Sequence, residues 1–125
     1  MEVVFLHDAS PGQAVAVRSA SGEWSAVWRG HGRAREGEAC LVELGIDEVE
    51  SWIGAVGIGE FSGVKTLDGA VVVCGEVSTA YDDGVIALSL NPGTVLIESD
   101  LAPAVGTGRH LCLRPTSIEI FPTGV

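Results

Sequence analysis

Positive charge is what this chain has least of. Lys65 is its only lysine, and the basic residues number 7 against 17 acidic ones, for a formal net charge of −10. Non-specific affinity for nucleic acid comes mostly from Lys and Arg neutralising phosphates, so this balance excludes nucleic acid as a partner. An anionic membrane surface is disfavoured for the same reason. A basic protein is what such a surface attracts. The preference for arginine over lysine points to a GC-rich bacterial genome.

Long hydrophobic runs are also missing. No stretch approaches the length of a membrane span, and "MEVVFLHDAS" carries Glu2 and only four apolar residues before His7, unlike a signal peptide. Cysteine is sparse. Cys40, Cys74 and Cys112 lie far apart and form no CxxC or other close pair, which excludes a structural zinc site. Each sits in an apolar, strand-like run, where a free thiol behaves as a small hydrophobe. An odd, scattered set predicts three free thiols and a reducing, cytoplasmic setting.

Catalytic signatures are absent in turn. There is no Gly-x-Ser-x-Gly elbow, and His7, His31 and His110 are dispersed without an i, i+4 pair, so neither a metal nor a cofactor is expected. "GIGEFSGVKT" approaches two phosphate-binding motifs and satisfies neither. Val64 separates Gly63 from Lys65, and Gly57 and Gly59 follow the expected helix instead of opening one.

What is present is alternation. With 46% hydrophobic and 19% charged residues in 125, the chain has the makings of one compact domain. "QAVAVRS" and "WSAVWR" flank a Gly-containing connection, and Trp24, Ala26 and Trp28 share one face. "EACLVELGI" aligns Cys40, Val42, Leu44 and Ile46. "AVVVCGEVST" sets Val71, Val73, Gly75 and Val77 against Val72, Cys74 and Glu76. Asp83-Gly84 in "STAYDDGV" predicts a type I′ hairpin, with Asp82 and Asp83 as turn residues and not an acid–base pair. One segment departs from period two. In "IDEVESWIGAVG", Val49, Trp52, Ile53 and Val56 recur at helical spacing, with Asp47 as cap, which predicts a short helix near residues 48–56. The polar, Gly-punctuated "RGHGRAREGE" predicts a mobile loop.

The expected architecture is mainly β: a single-domain antiparallel β-barrel or roll over residues 1–125 with that one helix. Three strands (roughly 13–19, 23–29 and 38–46), a helix, then strands at 70–79 and 85–90 resemble the element order of an OB-fold barrel. The resemblance is one of order alone and brings no motif, so it implies no functional residue. An eight- or nine-stranded closed barrel or roll competes with it.

Two functional readings follow. The first is a non-enzymatic binding or accessory module, inhibitor- or immunity-like, that recognises a basic partner protein through its acidic surface. The second is a hollow barrel that holds an apolar small molecule, with or without catalysing its rearrangement, and has Trp24, Trp28, Tyr81 and His110 lining the cavity. Arg29, Arg33 and Arg35, beside Trp28 and His31, form a candidate anion site, since arginine offers a bidentate fork. The simpler account of these arginines is a solvated loop balancing Glu36 and Glu38. A homodimer is a further expectation, because strands 70–74 and 85–88 are apolar on both faces and must bury both.

Overall fold

Period-two alternation resolves into strands throughout. A computed structural model of the chain describes residues 1–53, 61–90, 92–98 and 107–123, and among these there are eleven strands and no helix. Five of them close a barrel: β1 (Glu2–Phe5), β2 (Ala14–Ser19), β3 (Gly22–Trp28), β4 (Ala39–Gly45) and β11 (Glu119–Pro122), in the order β1-β2-β3-β11-β4 with β4 returning to β1. The sequence β4-β1-β2-β3 is a Greek key, and β11 fills the gap between its ends. All the barrel pairs are antiparallel except β3 with β11, which is parallel.

The remaining strands form a second sheet: β5 (Val49–Ile53), β6 (Gly63–Leu67), β7 (Ala70–Ala80), β8 (Val85–Ser89), β9 (Thr94–Glu98) and β10 (His110–Pro115). Its order is β5-β10-β7-β8-β9, with β6 also on β7. The strands at 70–79 and 85–90 are therefore not barrel strands, as the OB-like order expected. The first and last strands of the chain take those places.

One apolar cluster runs through both parts. Val3, Val15, Val17, Val42 and Ile120 from the barrel join Val73, Leu88, Ile97 and Leu113 from the second sheet. Each such fully buried side chain contributes about 1.5–3 kcal/mol relative to exposure. Hydroxyls stitch the seam. Ser21 donates to the Val64 carbonyl at 2.8 Å and accepts from the Val64 N–H at 3.2 Å, while Thr66 donates to the Glu23 carbonyl at 2.8 Å.

The helix expected near residues 48–56 is a strand where it is described; residues 54–56 lie outside the described residues. Its spacing has a different cause. Opposite β10, Leu113 pairs with Trp52 and Pro115 with Val49, so two steps along β10 face three along β5 and Glu50 is the extra residue. This β-bulge puts Val49 and Trp52 on the same face at a separation of three, mimicking one turn of helix. Ile53 falls on the other face, against Val72, Cys74 and Cys112.

The Asp82–Gly84 segment is a turn, of a different type from the one expected. Tyr81 N–H donates to the Val85 carbonyl at 2.8 Å, and Gly84 alone of the loop has a left-handed φ, 87°. This is the three-residue hairpin that ends in a left-handed glycine. Asp82 and Asp83 are exposed, and Asp83 accepts from the Val85 N–H at 3.3 Å. Two consecutive left-handed residues of the I′ kind occur instead at Asp68 and Gly69 (φ 52° and 80°), between β6 and β7.

The second face of β7 is covered from within the chain. Val72, Cys74 and Cys112 are fully buried, with Ile53, Phe61 and Leu67 packed on them. Two-faced apolarity in β7 thus needs no second copy. Cys74 and Cys112 stand directly opposite each other on β7 and β10, Cα atoms 4.1 Å apart, and are joined as a disulfide. The expectation of three free thiols is corrected to one, Cys40. The register could not be read from isolated runs, and it alone brings these cysteines together. Disulfides persist in oxidising surroundings, so the cysteines no longer support a cytoplasmic location. No helix among the described residues is long and apolar enough to cross a membrane.

β7 changes partner midway along one edge, from β6 over its first five residues to β8 beyond Gly75. At the changeover a Cβ on Gly75 would stand 2.4 Å from the Ser89 carbonyl oxygen, a backbone atom that cannot swing away. Two outcomes are expected. Gly75→Ala should lose about 1–3 kcal/mol in a denaturant titration, as overpacked cores do, whereas Gly32→Ala, with open space around it, should be silent. Thiol titration of the denatured, unreduced protein should find the single thiol of Cys40, and all three cysteines after reduction.

Candidate functional site

The loop from Arg29 to Glu38 is pinned to the barrel and is not the free segment expected. Trp28 ends β3 with its indole inside, edge-on to Phe5 at 5.1 Å between centroids. Its Nε1–H donates to the Gly32 carbonyl at 2.6 Å, so the indole holds the loop that follows it. Gly30 lies flat on the same ring: a Cβ there would fall 2.0 Å from an indole carbon. Ala34 is buried and exchanges both backbone hydrogen bonds with Ala9, at 3.0 and 2.8 Å. Asp8 accepts from the Glu36 N–H at 2.8 Å. His7 is committed to the same corner. Ala16 N–H donates to its Nε2 at 3.0 Å, which leaves the ring proton on Nδ1, 2.9 Å from the Asp8 carbonyl.

Between this loop and β11 lies a pocket of about 380 Å³. Arg29, His31, Gly32 and Arg33 form one wall, Phe121 and Pro122 the other, and the Trp28 ring reaches it from below. Arg29 Nε donates to Glu119 Oε2, and its terminal N–H groups make no hydrogen bond among the described residues. Arg33 Nη2 stands 3.7 Å from Asp8 Oδ2, an exposed and long-range pair. Neither carboxylate lines the pocket. Two of the three arginines singled out in the sequence thus meet with Trp28 and His31, and Arg35 does not line the pocket.

Phe121, which lines the pocket, also belongs to the outer face of β1, β4 and β11. Here Leu41 is 58% exposed and Phe121 41%, unusual values for large apolar side chains on strands whose alternate residues are core. Leu41 is directly opposite Glu2 on β1, and Phe121 directly opposite Glu43 on β4. Apolar anchors are therefore set in an acidic surround, and Phe121 is shared between this face and the pocket. Sequence reading passed over both anchors. The signal was present: in "EACLVELGI" Leu41 falls on the face opposite Cys40, Val42 and Leu44, in step with Glu43.

Trp24, Trp28, Tyr81 and His110 are not brought together. Trp24 and Trp28 are 3% and 5% exposed inside the barrel, and Trp24 Nε1 donates to Ser19 Oγ at 3.0 Å. With Val3, Phe5, Val15, Val17 and Val42 they fill the interior. Tyr81 is exposed at the β7–β8 turn. His110 lies on β10 opposite Glu76, half-buried, with neither ring nitrogen hydrogen-bonded among the described residues. Among the described residues no group of three or more His, Cys, Asp or Glu is placed to hold a metal ion. Comparison with family models, curated proteins and solved structures finds no match for the chain.

The hold of Trp28 on its loop is testable. Trp28→Phe keeps an aromatic ring against Phe5 and removes the donor to Gly32. It should cost about 0.5–1.5 kcal/mol in a thermal or denaturant melt, the net worth of a typical hydrogen bond, since Gly32 is exposed and water can take its carbonyl. Amide hydrogen exchange in residues 30–34 should accelerate more than in β2.

Proposed function

We propose that the protein is a non-enzymatic binding module, inhibitor- or immunity-like, that recognises a basic partner protein through the outer face of β1, β4 and β11. The observation that carries this reading is the pairing of exposed Leu41 and Phe121 with Glu2 and Glu43 across adjacent strands, in a chain of net charge −10. Binding surfaces concentrate their energy in a few apolar or aromatic anchors inside a polar rim. Carboxylates around such anchors select a partner of opposite sign and speed its approach. The hollow-barrel reading has no support of the same kind, because the barrel interior is packed with side chains. We assign the barrel to the OB type on its five strands and Greek-key order, with the second sheet inserted between its fourth and fifth strands.

Glu2→Lys combined with Glu43→Lys tests the reading, since both side chains are exposed and neither is in an ion pair among the described residues. Immobilised wild-type protein should retain a basic protein at about 0.05 M salt and release it by about 0.5 M, where screening shortens the reach of charge. The charge-reversed protein should retain none. Retention that survives both salt and charge reversal would refute recognition through the acidic face.

A further inference from the structure

The geometry points to a binding site for a small oxyanion, a phosphate or carboxylate group, in the pocket between the Arg29–Arg33 loop and β11. Three features carry it. First, Arg29 and Arg33 both line the pocket with His31, and among the described residues no carboxylate lines it. Second, Arg29 and the backbone of the loop are held in place before any ligand arrives. Glu119 engages Arg29 through Nε and leaves both terminal nitrogens of the fork without partners among the described residues. That is the edge with which a guanidinium grips an oxyanion bidentately. The loop itself is fixed by the Trp28–Gly32 hydrogen bond, by Gly30 against the indole, and by the Ala9–Ala34 pair. Ordering a flexible arginine loop is the usual cost of an anion site, and here the fold has already met it.

Third, Arg33 is nearly idle. Among the described residues its only ion-pair partner is Asp8 at 3.7 Å, both side chains are about half exposed or more, and a pair of that kind contributes little to stability. Asp8 is already engaged by the Glu36 N–H. A structural account of Arg33 thus leaves most of its five donors unused. Opposite the cations stands the exposed ring of Phe121, and a volume of about 380 Å³ has room for an oxyanion together with a small planar body lying on that ring. The site stands on the pocket alone and does not depend on recognition through the acidic face.

The test uses inorganic phosphate and acetate as probes, followed by the indole N–H resonances of the intact protein. Trp28 Nε1 donates to a carbonyl in the pocket wall, while Trp24 bonds to Ser19 within the barrel and serves as an internal control. Phosphate or acetate should move the Trp28 resonance saturably and leave Trp24 still, and the tighter of the two identifies the oxyanion class. Arg33→Gln should weaken binding about tenfold, the effect of one hydrogen bond to a charged group. Arg29→Lys keeps the charge and loses the fork, and it should weaken binding as well. Glu43→Lys, outside the pocket, should not weaken it, which separates this site from the acidic face. A shift that sodium chloride reproduces at equal ionic strength, or one unchanged in Arg33→Gln, would overturn the proposal.

Discussion

The barrel closes through one short strand that comes from the far end of the chain. β11 pairs with β3 on one side and β4 on the other, setting Ile120 against Trp28 and Leu44. Backbone bonds extend the join beyond the strand, from the Val27 N–H to the Ile118 carbonyl at 2.8 Å and from the Arg29 N–H to the Ile120 carbonyl at 3.0 Å. Without β11 both β3 and β4 would present open edges, the condition that barrels exist to avoid. The two surfaces proposed for binding have the same dependence. Glu119 fixes Arg29, and Phe121 supplies both an anchor of the acidic face and a wall of the pocket. The whole second sheet therefore sits inside the loop that this closure must bridge. The entropic cost of so long a loop rises only with the logarithm of its length, so the insertion is thermodynamically tolerable, though contacts this distant slow folding.

Much of the fold is legible because one face of most strands is buried and the other is wet. Trp24, Ala26 and Trp28 turn inward as their spacing requires, and Val73 and Val77 separate from Val72 and Cys74 onto opposite faces. Legibility fails where a strand breaks its own period. The bulge at Glu50 gives Val49 and Trp52 a helical separation, and no local property of the sequence distinguishes the two causes. β6 was equally hard to see, because its burial alternates poorly and Lys65 lies over the Phe61 ring instead of facing open solvent. Register between distant strands is invisible in a single sequence, and both the Cys74–Cys112 bridge and the choice of barrel strands rest on it.

The candidate site was half legible. Arginine clustering in "RGHGRAR" is a compositional fact, and the loop's cations do line a common pocket. Its rigidity was not visible, since it arises from a buried indole reaching forward to Gly32 and from a glycine that the indole requires. In the sequence Trp28 reads as a core residue, since large aromatics dominate burial, and as cavity-lining only in an open barrel. In the fold its apolar body fills the core and its one polar atom governs the loop, a division of labour common to buried tryptophans.

The acidic face and the cationic pocket adjoin, and their adjacency constrains what can bind. Charges act at range only within a Debye length, about 8 Å in physiological salt, and hydrogen bonds only in contact. On the two readings proposed above, the carboxylates of Glu2 and Glu43 would govern approach and Arg29 and Arg33 would govern fit. A uniformly basic surface drawn to Glu43 and covering Phe121 is brought against two guanidinium groups, and like charges set together in this way are strongly disfavoured. A surface that is basic over Glu2 and Glu43 but carries one oxyanion over Arg33 meets no such penalty. Since Phe121 belongs to both regions, the two proposed sites, if both are used, would share the strand that closes the barrel, and repulsion at the pocket would add specificity that attraction at the face alone would not.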